Sequence, residues 1–287
     1  MIKNTPRPIL PKGGTIAIIA PSSAGDMGAL ASGIERLKAS GFEIYMHPQI
    51  AATDYQAAGT APVRAQAFMD VMYDPAISAV IATRGGNRAM QTLPLIDWAQ
   101  IKQNPKPILG FSDITALLCG TLAQAGFSTF HGPTLSRIGR ADEAIYDQMI
   151  ACLSGAATSL PLAQATALQS GTASGPLVVG NLSLITALIG TPYLPDLDGA
   201  ILCLEDVGDE MSRYDGLILQ LRLSGLLNRL SGLVFGPLDY NTDTSAIPFG
   251  LPLPDMIAEH THDLGIPVVM GAPFGHTGPL YTLPLGV

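Results

Sequence analysis

Three side chains lying far apart along the chain, Ser112, Glu205 and His276, are of the types that acyl transfer requires. Ser112 ends the apolar run of residues 107–111 and stands just ahead of a helix-like stretch that opens Ile114-Thr115-Ala116. A serine on such a strand-to-helix turn is pushed out of the sheet edge, and the following N–H groups point with the helix N-terminus. That arrangement suits a nucleophile whose oxyanion needs donors close by. A serine before a helix is also a common N-cap, so its company matters. Its proton needs a base, and histidine is the usual one near neutral pH. Of the 5 histidines, His276 stands out in Gly275-His276-Thr277-Gly278, where flanking glycines allow a tight turn that exposes the imidazole. Glu205-Asp206 follows the apolar run 201–204, and a carboxylate at a strand end can fix the tautomer of an imidazole. Asp206, Asp209 and Glu210 keep the choice of acid open on pattern alone, since many strands end in solvated acids.

Arg84-Gly85-Gly86 closes another apolar run. The glycines could simply satisfy turn geometry. They could equally let substrate approach bare backbone, with a Gly86 N–H joining that of Asp113 as oxyanion donors. Arg84 has the chemistry to pair a substrate carboxylate, or to make a structural ion pair. Metal chemistry finds little support. The histidines of Glu259-His260-Thr261-His262 are two apart and diverge on a helix, unlike an i, i+4 ligand pair. Gly13-Gly14-Thr15 precedes its strand rather than following it, so it fails as a dinucleotide fingerprint, and no Walker-type loop occurs. No metal and no cofactor are expected.

The elements that must position these groups follow from periodicity. Residues 15–20, 42–46, 77–82 and 107–110 read as strands. They alternate with helical stretches ending near 40, at 63–73, 87–96 and 113–125. Uncharged strands alternating with helices predict a mostly parallel, doubly wound α/β sheet covered on both faces. Ligands in such sheets bind beyond the carboxyl ends of the strands, where the loops 21–25, 84–87 and 111–113 lie. Residues 153–174 lose the pattern and read as an interdomain linker with room for a short strand or two. The expected organisation is an N-terminal domain over 1–152 and a second, smaller α/β domain over 175–287. In the latter, 177–179, 200–204, 232–235 and 268–270 are strand-like, whereas 182–189, 216–226 and 254–262 are helical. Residues 237–250 read as a polar loop.

Composition bounds the function. The 287 residues are 47% hydrophobic and 13% charged, enough for a sizeable core. A formal net charge of −8 offers no basic stripe, which disfavours nucleic acid. The charge-poor stretch 148–195 is interrupted by Gly and Pro throughout, so no window of about 20 residues is uniformly apolar. The run 15–20 is too short for a signal sequence. A soluble, cytoplasmic protein without membrane association is expected. Cys119, Cys152 and Cys203 are widely spaced and read as reduced, buried thiols.

Taken in order, the motifs resemble the LD-carboxypeptidase family of serine peptidases, which includes the microcin C immunity peptidases. The resemblance spans nearly the whole chain. It rests on Gly13-Gly14 with Ile18-Ile19-Ala20-Pro21-Ser22, on Arg84-Gly85-Gly86, on Leu109-Gly110-Phe111-Ser112-Asp113-Ile114-Thr115 and on His131-Gly132-Pro133. It continues through Gly180-Asn181-Leu182, Gly190-Thr191-Pro192, Leu204-Glu205-Asp206 and Gly275-His276. It implies a two-domain α/β fold with Ser112 as nucleophile, Glu205 as triad acid and His276 as general base. Gly86 and Asp113 would supply the oxyanion hole, and Arg84, Gly85 and Asn87 would meet substrate. It further implies a cytoplasmic homodimer without cofactor, cutting the amide bond between an L-centre and a terminal D-residue in murein tetrapeptides.

Three departures bear on specificity: Asn87 stands where many relatives have an aromatic residue, Ser212 and Gly216 replace a usual Tyr and Arg, and the chain stops soon after residues 283–286. Two alternatives follow. One is a detoxifying amidase acting on a peptide–nucleotide antibiotic; the other is a small-molecule-binding protein that has lost catalysis, since the fold alone implies no reaction.

Overall fold

The computed structural model describes residues 5–241 and 244–287. The predicted α/β architecture is present as two sheets. Five parallel strands form the first: β1 (Thr15–Ile19), β2 (Glu43–Met46), β3 (Ile77–Ala82), β4 (Ile108–Gly110) and β5 (Thr129–His131). They run in the spatial order β2-β1-β3-β4-β5, so the direction of winding reverses between β1 and β3, which opens a crevice at their carboxyl ends. Their side chains are buried on both faces except along the edge strand β2.

The second sheet contains β6 (Thr166–Gln169), β7 (Leu177–Asn181), β8 (Ile201–Asp209), β9 (Gly232–Tyr240) and β10 (Val268–Met270), in the order β6-β10-β9-β8-β7. Two strands cross the divisions expected from sequence. β6 forms within the 153–174 linker and pairs antiparallel with β10. β11 (Leu283–Leu285), inside the expected second domain, pairs antiparallel with β5 and so completes the first sheet. Both cover an edge that would otherwise present unpaired N–H and C=O groups. β9 also continues to Tyr240, through the start of the expected 237–250 loop; residues 242–243 of that stretch lie outside the described residues.

Nine α-helices are described. Those of the first half are α1 (Ala31–Ala39), α2 (Ala61–Tyr73), α3 (Trp98–Ile101), α4 (Thr115–Ala125), α5 (Leu135–Ile138) and α6 (Glu143–Leu153). In the second are α7 (Leu182–Ala187), α8 (Met211–Leu223) and α9 (Leu253–Thr261). The helix expected over 87–96 forms only as the 3-10 stretch Ala89–Leu95. Pro94 lacks the N–H that an α-helical bond would need.

α4 is the pivot of the molecule. Its sequence TALLCGTLAQA carries no charge, and nine of its residues are buried. A helix apolar all round must be covered all round: β4 and β5 flank it on one side, α7 and β7 on the other. One hydrophobic cluster therefore runs from Phe68 and Leu93 through Leu117 and Leu118 to Leu182, Leu204 and Phe274. The three cysteines are free and buried within the two core clusters. No helix among the described residues is long and apolar enough to cross a membrane.

Candidate active site

Ser112 sits in the turn between β4 and α4 with φ 63°, one of three non-glycine residues in the left-handed region among the described residues. A side chain there is strained and persists only where its surroundings hold it. Two features do so. Gly110, two residues earlier, allows close approach: a Cβ on it would fall 2.6 Å from Ile114 Cγ2. Asp113, only 5% exposed, turns its carboxylate inward, and Oδ2 accepts from Ser22 Oγ at 2.5 Å and from Ala89 N at 2.9 Å. These bonds tie together the loops after β1, β3 and β4. Burial raises the Asp113 pKa, while the Ser22 and Ala89 hydrogen bonds and the Arg64 charge oppose that rise.

The Gly85-Gly86 pair passes directly over the serine. A Cβ at Gly85 would lie 2.8 Å from Ser112 Cβ and 3.0 Å from its Oγ. At Gly86, with φ 135°, a Cβ would collide with the Ser23 hydroxyl. Both positions require glycine for space, and Gly86 for backbone conformation as well.

The second half supplies the partners of Ser112. His276 Nε2 lies 3.0 Å from Ser112 Oγ, and His276 Nδ1 lies 2.6 Å from Glu205 Oε2. Glu205 is fully buried, and its Oε1 has no hydrogen-bond partner among the described residues. Burial raises its pKa, and the bond and charge of His276 pull it back. Its placement depends on an irregularity. In the β8–β9 ladder, Leu204 opposes Phe235 but Asp206 opposes Leu238, so β9 carries one extra residue at Gly236-Pro237. A bulge of this kind re-aims neighbouring side chains. Gly236 and Gly275 leave the room: their added Cβ atoms would stand 3.2 and 3.4 Å from Glu205 Cβ. Asp206, the neighbouring acid, is instead saturated by Asn181 Nδ2, the Val207 N–H, and the N–H and hydroxyl of Ser183.

The two halves are registered at one seam. Asn181 pairs with Glu205 in the β7–β8 ladder, and its N–H donates to Thr115 Oγ1 at 3.0 Å, three residues beyond Ser112. Gly180 permits the approach, because a Cβ there would overlap Thr115 Cγ2. The Phe111 ring packs against the His276 ring, 4.9 Å between centroids and tilted by 51°. Behind Phe111 lies His131, fully buried between Phe111 and Phe274. Burial and the His276 charge push its pKa down to about 3, which keeps it neutral.

A cleft of about 460 Å³ opens over Ser112 and His276. Arg84, Gly85 and Gly86 line it. Asn87 does not: its side-chain amide donates to Gln56 Oε1 at 2.7 Å and its N–H to Ser23 Oγ, which turns it away from the cleft lining. Arg137 and Arg140 complete the lining. They were missed in the sequence because α5, a single turn, has no periodicity to mark it. His260 pairs with Asp215 at 2.7 Å, and no group of three or more metal-ligating side chains occurs among the described residues.

The model for the LD-carboxypeptidase N-terminal domain matches residues 16–132 of the chain, and that for the C-terminal domain matches residues 174–287. A Synechocystis protein whose name assigns it provisionally to the carboxypeptidases is 33% identical over 98% of this chain and 92% of its own. The microcin C7 self-immunity protein MccF of Escherichia coli is 30% identical over 93% of this chain and 86% of its own. The solved structure of MccF with glutamyl sulfamoyl guanosine matches with a TM-score of 0.87 at 27% identity, covering 98% and 93% of the two chains. Muramoyltetrapeptide carboxypeptidase from Oxalobacter formigenes matches with a TM-score of 0.81 at 30% identity, covering 95% and 92%. This chain belongs to the LD-carboxypeptidase family and is a serine-peptidase-like hydrolase.

Proposed function

We propose that the protein is a serine carboxypeptidase that releases a terminal D-amino acid from murein tetrapeptides through Ser112, His276 and Glu205. The observation that carries this reading is the unbroken hydrogen-bonded chain from Ser112 Oγ through His276 to the buried Glu205. His276 takes the hydroxyl proton as Oγ attacks the scissile carbonyl. Glu205 receives Nδ1–H and stabilises the imidazolium. The N–H groups of Gly86 and Asp113 stabilise the oxyanion, and the Gly86 N–H has no other acceptor among the described residues. Collapse expels the amine, which takes its proton from His276. Water, deprotonated by the same histidine, then frees the acyl-enzyme.

Replacement Ser112→Ala is expected to lower turnover of an L-Ala-γ-D-Glu-diaminopimelate-D-Ala peptide by roughly 10⁴–10⁶, with unchanged circular dichroism. Turnover within tenfold of the unsubstituted enzyme would refute the assignment. The close match to MccF favours a second reading, cleavage of an aminoacyl-sulfamoyl nucleoside. Comparing kcat/KM for the tetrapeptide with that for glutamyl sulfamoyl adenosine separates the two. A cytoplasmic homodimer accompanies the first reading, and sedimentation at micromolar concentration tests the dimer.

A further inference from the structure

The chain carries a net charge of −8 and has only 15 lysines and arginines, yet three arginines line the cleft over Ser112, opposed there by one carboxylate, Asp26. Asp26 is in addition occupied, accepting from Gly28 N at 2.9 Å. So local an excess of cation in an acidic protein marks a site for an anion. The three arginines are placed differently. Arg84 follows β3, among the loops of the nucleophile. Arg137 and Arg140 belong to α5 and the turn after it. They also line a second cavity of about 520 Å³, walled by Pro133, Ile145, Pro279 and Leu280, and so stand at the junction of the two spaces.

Arg137 is fixed. One nitrogen donates to the main-chain oxygen of His276 at 2.6 Å, and the guanidinium lies over the Phe111 ring, 5.4 Å from its centroid. A guanidinium has five N–H donors, and this anchorage leaves others for the cleft. Arg140 is exposed; its N–H donates to the Arg137 carbonyl at 3.0 Å, and its guanidinium makes no ion pair or hydrogen bond among the described residues.

We propose that Arg137 and Arg140 form a carboxylate-binding pair that holds the free α-carboxylate of the departing amino acid and so restricts the enzyme to chain ends. This rests on the reading of His276 as the general acid. The imidazole that protonates the leaving amine must face that amine, and an amino acid carries its carboxylate one carbon away from its nitrogen. A cation anchored to the backbone of His276 therefore flanks the leaving residue, whereas Arg84 follows β3 and has no such tie to His276. Arg137 supplies a preorganised fork and Arg140 an exposed second charge, which suits bidentate recognition of a planar carboxylate.

The test compares an L,D-tetrapeptide ending in D-alanine with the same peptide ending in D-alanine amide. Binding of both to Ser112→Ala is measured by calorimetry, which needs no turnover. The acid is expected to bind about 10- to 100-fold tighter than the amide. Adding Arg140→Gln to Ser112→Ala should reduce that ratio about tenfold, and Arg140→Glu should abolish it. In the active enzyme Arg140→Gln should raise KM for the acid peptide, while labelling of Ser112 by a fluorophosphonate keeps its rate. Equal affinity for acid and amide, a preference that survives Arg140→Glu, or binding of neither peptide would overturn the pair. Loss of Ser112 labelling or of turnover in the unsubstituted enzyme, with the acid preference intact in calorimetry, would instead count against the proposed reaction alone.

Discussion

The surroundings of Ser112 and those of His276 are built on opposite plans. Around the serine, three strand-end loops are laced by Asp113, Ser22 and Ala89, the backbone is left-handed, and glycine is required by direct contact at Gly85, Gly86 and Gly110. Around the histidine, residues 271–278 form a glycine-rich segment held at a few points. Arg137 holds the His276 carbonyl, Asp239 accepts from Thr277 Oγ1 at 2.6 Å, and Glu205 holds the ring. A Cβ added at Gly278 would meet nothing within 4 Å. Strain is concentrated at Ser112, where the proposed reaction needs a nucleophile presented to fixed oxyanion donors. The segment of the proposed base is tight at Gly275, where an added Cβ would fall 2.8 Å from Pro237 Cδ, and opens beyond the histidine at Gly278. This division fits the different demands of electrostatic preorganisation and proton transfer.

Substitutions can break or sharpen the contrast. Glu205→Gln should have the largest effect, lowering kcat about 10⁴-fold, because the amide loses the charge that stabilises the imidazolium and can donate to Nδ1 and hold the wrong tautomer. It should also raise the melting temperature at neutral pH, because the buried carboxylate has a folded pKa above its unfolded value. The stabilising contribution of such a group is present below its unfolded pKa and is lost as pH rises through the folded one. The gain in the variant should therefore shrink on acidification below the ordinary glutamate range, and a constant gain from pH 3 to 8 would contradict this account. Gly86→Ala should cost ~2–4 kcal/mol in stability and roughly 10²–10³ in kcat, since its N–H would be displaced. Its counterpart Gly278→Ala, at φ 70° but in open space, should cost about 1 kcal/mol and leave kcat within a few-fold. Equal losses from the two variants, by denaturant titration and steady-state rates, would erase the contrast.

The smallest expected change in rate belongs to His131→Phe. The imidazole is neutral in the fold down to about pH 3, whereas the unfolded chain protonates near 6.5. A depressed pKa contributes stability above the unfolded value and loses it as pH falls toward the folded one. Phenylalanine keeps the ring contacts with Phe111 and Phe274 and does not titrate. The melting temperature of the variant should fall less steeply between pH 6.5 and 3, and parallel curves would refute the assignment.

Much of this was legible in the residues themselves. The runs at β1, β3, β4 and β10 declare buried parallel strands, and the turn at Ser112 declares an exposed hydroxyl ahead of a helix. Pattern alone did not separate Glu205 from Asp206; the family resemblance pointed to Glu205, and the β9 bulge shows physically how the two are sorted. One acid is turned beneath His276 and the other is consumed by Asn181 and Ser183. What stayed hidden depends on distant partners. Gly180-Asn181 is a motif without evident chemistry until Thr115 is found against it. Asn87 looks like an entrance residue until Gln56 claims its amide. Arg137 and Arg140 occupy a short helix and a turn, where no periodic signal distinguishes a working cation from a solvated one.

The return of β11 to the first sheet has a temporal meaning. During synthesis the outer edge of β5 emerges long before the segment that will cover it. Until then, the layer bearing the serine exposes an open backbone ladder to solvent and to other nascent chains. The segment that supplies the histidine is translated immediately ahead of that covering strand. Completion of the site around Ser112 and covering of that open edge thus both wait for the same short stretch, residues 276–285.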